Sequence, residues 1–300
     1  MREGQRSLTA EATAAMRAAH QVFDAAPLVL RDDVAARLLL PRPWQGLATG
    51  SRLLRRRRAL RGMVEAWLPP RAAVATRRLR AQIVVRSRYA EDALAAAQER
   101  GVEQYVVLAA GLDTFSLRQP AGELRVFEVD EPSTQADKRK RIRRSGLVVP
   151  ETVEFVGIDF ERQTLSEALE ESGFDADAPC FLSWLGVSYY LTRPAIEAVF
   201  DFVAGLAPGS EMVLDFWSED PSVPPGDLTL LRGVQIGVGG QGEPMKSFFS
   251  PDELTALAAD CGLQVLESLD AIGGDARYLR GRRDGLRLPR FAHLARLGAA

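Results

Sequence analysis

The residues whose types and spacing point most directly to chemistry lie between Tyr105 and Asp130. An apolar run, Tyr105-Val106-Val107-Leu108, opens into Ala109-Ala110-Gly111-Leu112-Asp113-Thr114. A second, Leu124-Arg125-Val126-Phe127, ends on Glu128-Val129-Asp130. A buried strand followed by a small-residue turn lets backbone approach a ligand closely. A carboxylate about 20 residues further on stands where one βαβ unit brings it, able to accept hydrogen bonds from both hydroxyls of a ribose. Ala109, Gly111 and Asp130 are therefore candidate nucleoside-binding residues. The pattern serves NAD, FAD and S-adenosylmethionine alike. A dinucleotide fingerprint, however, wants three glycines and a helix N-terminus facing a pyrophosphate. This chain offers Ala109, Gly111 and Thr114 in that frame. S-adenosylmethionine has no pyrophosphate and tolerates the missing two.

Other chemistries find less support. No G-x-x-x-x-G-K-[ST] phosphate loop occurs, which argues against an ATPase or GTPase. A serine hydrolase would want G-x-S-x-G, and Gly186-Val187-Ser188-Tyr189-Tyr190 fails at its last position. No Tyr-x-x-x-Lys pair exists for short-chain dehydrogenase chemistry. Cys180 and Cys261 are far apart and the two histidines, His20 and His293, sit near opposite ends, so neither a metal centre nor a disulfide framework is indicated. Trp184, Tyr189, Tyr190 and the pair Phe216-Trp217 follow apolar runs. Their faces would suit a planar acceptor or a sulfonium cation, and core packing would account for them equally well.

The elements that must hold these residues follow from periodicity. From Leu8 to Leu68 the spacing of Ala12, Ala15, Met16, Ala19 and Phe23, and again of Leu53, Leu60, Val64 and Trp67, is helical. A third helix is predicted over Ala72–Arg100, stopped by Gly101. Beyond it, strands at Gln104–Ala109, Leu124–Val129, Val153–Ile158, Cys180–Trp184, Glu211–Phe216, Gln264–Leu269 and Ala276–Leu279 alternate with helices at Ser133–Arg144, Gln163–Ser172, Arg193–Leu206 and Pro251–Cys261. Such alternation builds a doubly wound, mainly parallel α/β sheet with ligands at the carboxyl ends of its strands. Residues 1–100 then form an N-terminal helical cap region and 101–300 the binding core. A proline- and glycine-rich insertion over 218–250 exceeds the usual connection length, as a lid would.

Composition is compatible with one large α/β domain. Apolar residues make up 46% of the chain, and a net charge of −2 gives no nucleic-acid signature. Charge is nevertheless segregated. Between Ser51 and Arg88 Glu65 is the only acid, whereas between Glu151 and Asp177 Arg162 is the only base. Solvated faces explain both stretches; an electropositive rim that attracts an acidic substrate or a carrier protein is the alternative. No signal-peptide core or membrane-length apolar run is present, so a cytoplasmic protein is expected.

Seven segments together resemble the leucine carboxyl methyltransferase family, which includes bacterial O-methyltransferases similar to the tetracenomycin polyketide enzyme. They are Ser7-Leu8-Thr9-Ala10, Arg17-Ala18-Ala19-His20, Arg86-Ser87-Arg88-Tyr89, Leu108 to Thr114, Phe127 to Pro132, Ile158-Asp159-Phe160 and Gly186 to Leu191. The resemblance implies a class I methyltransferase (Rossmann-like) fold using S-adenosyl-L-methionine. It assigns Arg86 to the methionine carboxylate, Ala109 and Gly111 to the turn beside the methionine moiety, and Asp130 to the ribose. Asp159 and Phe160 would flank adenine, and Arg17 would close over the cofactor carboxylate. Two departures stand out. The family's G-A-G turn is Ala109-Ala110-Gly111, and where many members carry Glu-Gly this chain has Leu185-Gly186.

Methyl transfer from a sulfonium needs positioning more than activation. A carboxylate acceptor is ionised at neutral pH and needs no base, whereas a phenol does. Because neither histidine is a convincing base, the expected acceptor is a small molecule with a carboxylate or acidic hydroxyl. Trp184, Tyr189 and Tyr190 would position it, with Phe216 and an arginine such as Arg88 nearby. A non-catalytic S-adenosylmethionine-binding or partner-binding module is the alternative, and Leu185 is its best support.

Overall fold

The strands that carry the turn and the aromatic cluster are buried along their whole length, and the sheet they form organises everything else. The structure is a computed structural model that describes residues 8–39, 69–119, 122–159 and 162–299. The expected helix around Leu53–Trp67, the arginine run Arg55–Arg58 and Phe160 lie outside the described residues.

Helices α1 (Leu8–Phe23), α2 (Ala35–Leu38) and the long α3 (Pro70–Gln98) precede the sheet. Then come β1 (Gln104–Leu108), α4 (Phe115–Arg118), β2 (Arg125–Asp130), α5 (Pro132–Arg144), β3 (Val153–Gly157), α6 (Leu165–Glu171) and β4 (Cys180–Trp184). A 3-10 turn at Ser188–Tyr190 leads into α7 (Arg193–Ala204) and β5 (Glu211–Trp217). The chain ends with α8 (Pro225–Gly239), α9 (Pro251–Asp260), β6 (Leu263–Leu269), α10 (Ala271–Tyr278) and β7 (Ala292–Ala299).

Among the described residues these strands make one seven-stranded sheet in the order β3-β2-β1-β4-β5-β7-β6. β1 to β5 run parallel, and only β7 runs antiparallel, to both β5 and β6. Parallel strands covered on both faces read as near-continuous apolar runs, as β1, β4 and, apart from Glu211 and Asp215, β5 do. Alternation of side chains sends Leu182, Trp184, Leu214 and Phe216 into one core beneath α7 and α9. It sends Tyr105, Val107, Phe181 and Val213 into another beneath α3.

Two expectations need correcting. Ala276–Leu279 is not a strand but the end of α10, begun by Asp270, whose carboxylate accepts the Gly273 N–H at 2.7 Å. A four-residue segment is too short to show a period, and the N-cap decides. The seventh strand is Ala292–Ala299, inserted between β5 and β6. The 218–250 insertion, for which no helix is predicted, contains α8. No helix among the described residues is long and apolar enough to cross a membrane.

Candidate active site

At the carboxyl end of β1 the chain turns through two left-handed residues, Ala109 (φ +52°) and Gly111 (φ +48°). The parallel register sets Leu108 opposite Val129, so the turn meets the end of β2. There the Asp130 carboxylate accepts the N–H of Gly111 at 2.6 Å and of Glu131 at 2.7 Å. Burial raises the Asp130 pKa against the opposing effect of these two bonds. Beneath it the buried Glu128 accepts from Lys138 of α5 and Ser116 of α4, fixing the end of the strand.

Two arginines enter from the helical side. Arg17 of α1 donates to Asp32 at 2.8 Å and to the Leu112 carbonyl at 2.5 Å. Asp32 also accepts from Thr114 and from the Ala35 N–H, tying α1, α2 and the binding turn together. Burial works to raise the Asp32 pKa, but Arg17 and Arg118 outweigh it and hold the carboxyl below its usual value. Arg86 of α3 donates through Nη1 to Asp215 at 3.0 Å and to the Tyr189 hydroxyl at 3.2 Å. Burial opposes its charge, and Asp215 and Tyr189 more than offset that, keeping the guanidinium protonated. The other Asp215 oxygen accepts the Gly186 N–H. Gly186 has φ +82°, and a Cβ there would lie 2.6 Å from Arg86 Nη2. The glycine thus serves both the backbone and the seat of the arginine.

These groups line a cavity of about 390 Å³ at the carboxyl ends of β1, β2 and β4. Arg17, Arg86, Ala109, Gly111, Asp130, Leu185 and Tyr190 all face it, as do Glu243 and Lys246 from the far end of the insertion. A second cavity of about 250 Å³ adjoins it through Thr9, Thr13, Arg86, Gly186 and Tyr190. Its wall is mostly apolar, with Met16, Leu79, Ile83, Tyr189, Trp217 and Val234 among its residues. Among its described lining residues Arg86 is the only charged one. Tyr189 packs on Trp217 at 4.5 Å and edge-on to Tyr190 at 4.8 Å. The indole N–H of Trp217 is buried without a hydrogen-bond partner among the described residues.

Not every expected residue is brought here. Trp184 points to the opposite face of the sheet, edge-on to Phe200, and Phe216 stacks on His293 on that face. Period two along β4 and β5 gives the cavity side to Ser183, Leu185, Asp215 and Trp217 instead. Arg88 is exposed and paired with Asp92 at 2.7 Å, so Arg86 is the arginine in place. Asp159, nearly half exposed, pairs with Arg162 at 3.4 Å and is not part of the cavity lining. His20 is fully buried; Nε2 accepts the Val29 N–H, so Nδ1 donates to Asp24, which in turn holds Arg80. Neither histidine lines either cavity.

Sequence reasoning missed Asp32, Asp215, Glu243 and Lys246, and gave Gly186 a place in a family segment but no role. Asp215 left a signal, a lone acid inside the apolar strand Met212 to Trp217. Glu243 and Asp32 left none, since acids in loops are ordinary.

The sheet order with a single antiparallel strand, and the turn and acid at its centre, define a class I methyltransferase fold of the Rossmann-like kind. Two solved structures share it: a candidate methyltransferase from Thermobifida fusca (TM-score 0.54, 16% identity, covering 81% of this chain and 88% of that one) and a DUF574 family protein from Streptomyces avermitilis (TM-score 0.53, 17% identity, covering 80% and 89%). The family model for leucine carboxyl methyltransferase matches residues 10–204. YktD of Bacillus subtilis, named as a candidate S-adenosyl-L-methionine-dependent methyltransferase, is 30% identical over 298 residues, covering 95% of each chain. A Mycolicibacterium gilvum relative with the same kind of name is 39% identical over 139 residues, 45% of this chain and 44% of its own length. The chain belongs to the leucine carboxyl methyltransferase family and is an S-adenosylmethionine-dependent methyltransferase.

Proposed function

We propose that this enzyme methylates an oxygen, a carboxylate or an acidic hydroxyl, of a small molecule held in the apolar cavity beside Arg86. When bound, the cofactor supplies a methyl group on a sulfonium. Asp130 would hold the ribose hydroxyls, Ala109 and Gly111 would bring backbone close, and Arg86 and Arg17 would face the methionine carboxylate. The cradle suits such a ligand: a left-handed turn free of bulky side chains, one acid at the ribose end, and cations at the other.

The observation that carries the acceptor assignment is the lining of the smaller cavity. Its aromatic and aliphatic walls suit the body of an organic acid. The only charged residue among its described lining, Arg86, is a cation that it shares with the larger cavity and that is seated on Asp215, placed to donate to an anionic head. Burial raises the Tyr189 hydroxyl well above its usual pKa and pushes Tyr190 up to about 12, so both stay protonated and donate rather than act as bases. An acceptor that arrives ionised needs none. In the step itself a lone pair on the acceptor oxygen forms the new C–O bond while the C–S bond breaks, its electron pair remaining on sulfur. The protein aligns the two atoms and excludes water. A small acidic acceptor is the expected partner, delivered free or on a carrier protein.

The test is a panel of aromatic and aliphatic carboxylic acids, phenols, amines and thiols, offered with methyl-labelled S-adenosylmethionine. Label recovered as methyl esters or aryl methyl ethers supports the proposal. Label recovered only on nitrogen or sulfur overturns it.

A further inference from the structure

The insertion brings a carboxylate into the larger cavity that the reading above does not use. Helix α8 ends in a left-handed turn at Gly242 (φ +85°). Gly242 N–H donates to the Gly239 carbonyl at 3.1 Å and Glu243 N–H to the Val238 carbonyl at 3.0 Å. These are the two bonds of a Schellman cap, which fixes the backbone on both sides of the glycine. The residue after that glycine is often apolar and packs back on its helix. Here it is Glu243, and its carboxylate accepts from the Thr9 hydroxyl of α1. Tyr190, which like Thr9 lines both cavities, lies close enough for Glu243 to raise its pKa. Glu243 is thus held, in backbone and side chain, where the two cavities meet.

Without it no carboxylate among the described residues lines this end of the cavity, although Asp32 and Asp215, buried behind the lining, pair with Arg17 and Arg86. Arg17, Arg86 and Lys246 line that end, and Leu185 at the end of β4 supplies no acid. The other lining carboxylates are engaged elsewhere: Asp130 accepts from Gly111 and Glu131, and Asp113 accepts the Phe115 N–H at the start of α4. Yet the tail of S-adenosylmethionine is a zwitterion, with an ammonium beside its carboxylate. A lining that presents only donors satisfies the carboxylate and offers the ammonium no anion. We infer that Glu243, presented by the insertion and oriented by Thr9, binds the ammonium group of the cofactor. The inference rests on the cofactor placement proposed above. It gives the insertion a role in cofactor recognition besides covering the acceptor.

Calorimetry with two ligands tests it. S-adenosylhomocysteine carries the amino-acid tail; 5′-methylthioadenosine keeps the adenosine and sulfur but lacks the tail. Glu243→Gln should weaken S-adenosylhomocysteine roughly tenfold or more, as loss of a charged hydrogen-bond partner does, and leave 5′-methylthioadenosine unchanged. Glu243→Asp should recover part of the loss, and Thr9→Val should reproduce a smaller loss with the same ligand selectivity. Equal weakening of both ligands would make Glu243 a structural residue of the insertion, and unchanged affinity for both would remove it from the site. Either result overturns the inference. If the unaltered enzyme bound neither ligand, the cofactor placement itself would fall, a result distinct from both.

Discussion

Asp130 carries two tasks at once, closing the binding turn through Gly111 and, in the proposed complex, holding the ribose. Asp130→Ala should weaken S-adenosylhomocysteine binding by roughly 10- to 150-fold, the equivalent of about 1.5–3 kcal/mol for a charged contact; unchanged affinity in calorimetry would remove the assignment. Burial raises its pKa, so the folded chain holds this proton more tightly than the unfolded one. The sign follows: ionised Asp130 costs the ligand-free protein stability as pH rises through the window above its ordinary value. The ribose hydroxyls favour the ionised form. Cofactor affinity should therefore fall on acidification, beginning above the ordinary aspartate range. Titrating affinity between about pH 4 and 7 checks this. Ala109 offers a second residue-scale test. Its φ of +52° is left-handed, strained for any side chain. Ala109→Gly should stabilise the protein by about 0.5–1 kcal/mol in urea unfolding, the relief of strain less the extra entropy of glycine in the unfolded chain. Gly186→Ala should do the reverse, because its Cβ would collide with Arg86, and cofactor affinity should drop with stability.

At the scale of elements, the alternation of β4 and β5 separates core from site. Trp184→Ala should cost about 3–5 kcal/mol of stability as a core cavity, whereas Trp184→Phe should leave acceptor KM unchanged. Trp217→Phe preserves most of the packing but alters the wall of the smaller cavity and removes a buried N–H, so its effect should appear as a raised acceptor KM. Steady-state kinetics of the two phenylalanine variants separates the two faces. Helix α8 and the Gly242 turn bridge from β5 to the cavity mouth, where Thr9 of α1 meets Glu243. Amide exchange over 225–246 should slow when cofactor and acceptor are bound. Equal protection in both states would make the insertion a fixed wall.

For the whole molecule, the sheet supplies a rigid floor and the helical side supplies the charged roof, with Arg17, Arg86 and Asp32 joining them. With no histidine lining either cavity and both tyrosines held protonated, turnover of a carboxylic acid should be nearly flat between about pH 6 and 8, since an acid of pKa about 4 is already ionised. A rate rising tenfold per pH unit across that window on the best acceptor would require a titrating base and would remove the carboxylate reading.

Local patterns in the chain were enough for the α/β alternation, the parallel strands and the binding turn. The signals there are short-range: apolar runs of strand length, glycine and proline punctuation, and an acid one βαβ unit beyond a small-residue turn. Arg17 and Arg86 became candidates only by resemblance to a family, because nothing in their immediate neighbours distinguishes them from other helical arginines. Which face of a strand looks into the cavity depends on how the sheet packs against its neighbours, and that decided for Trp217 over Trp184; the way helix α3 lies on the sheet decided in the same way for Arg86 over Arg88. The same is true of Asp215 beneath Arg86 and Glu243 beside Thr9, 129 and 234 residues apart respectively. Their partnership exists because the sheet order and the Schellman turn bring distant segments to one place, and no local pattern in the chain records it.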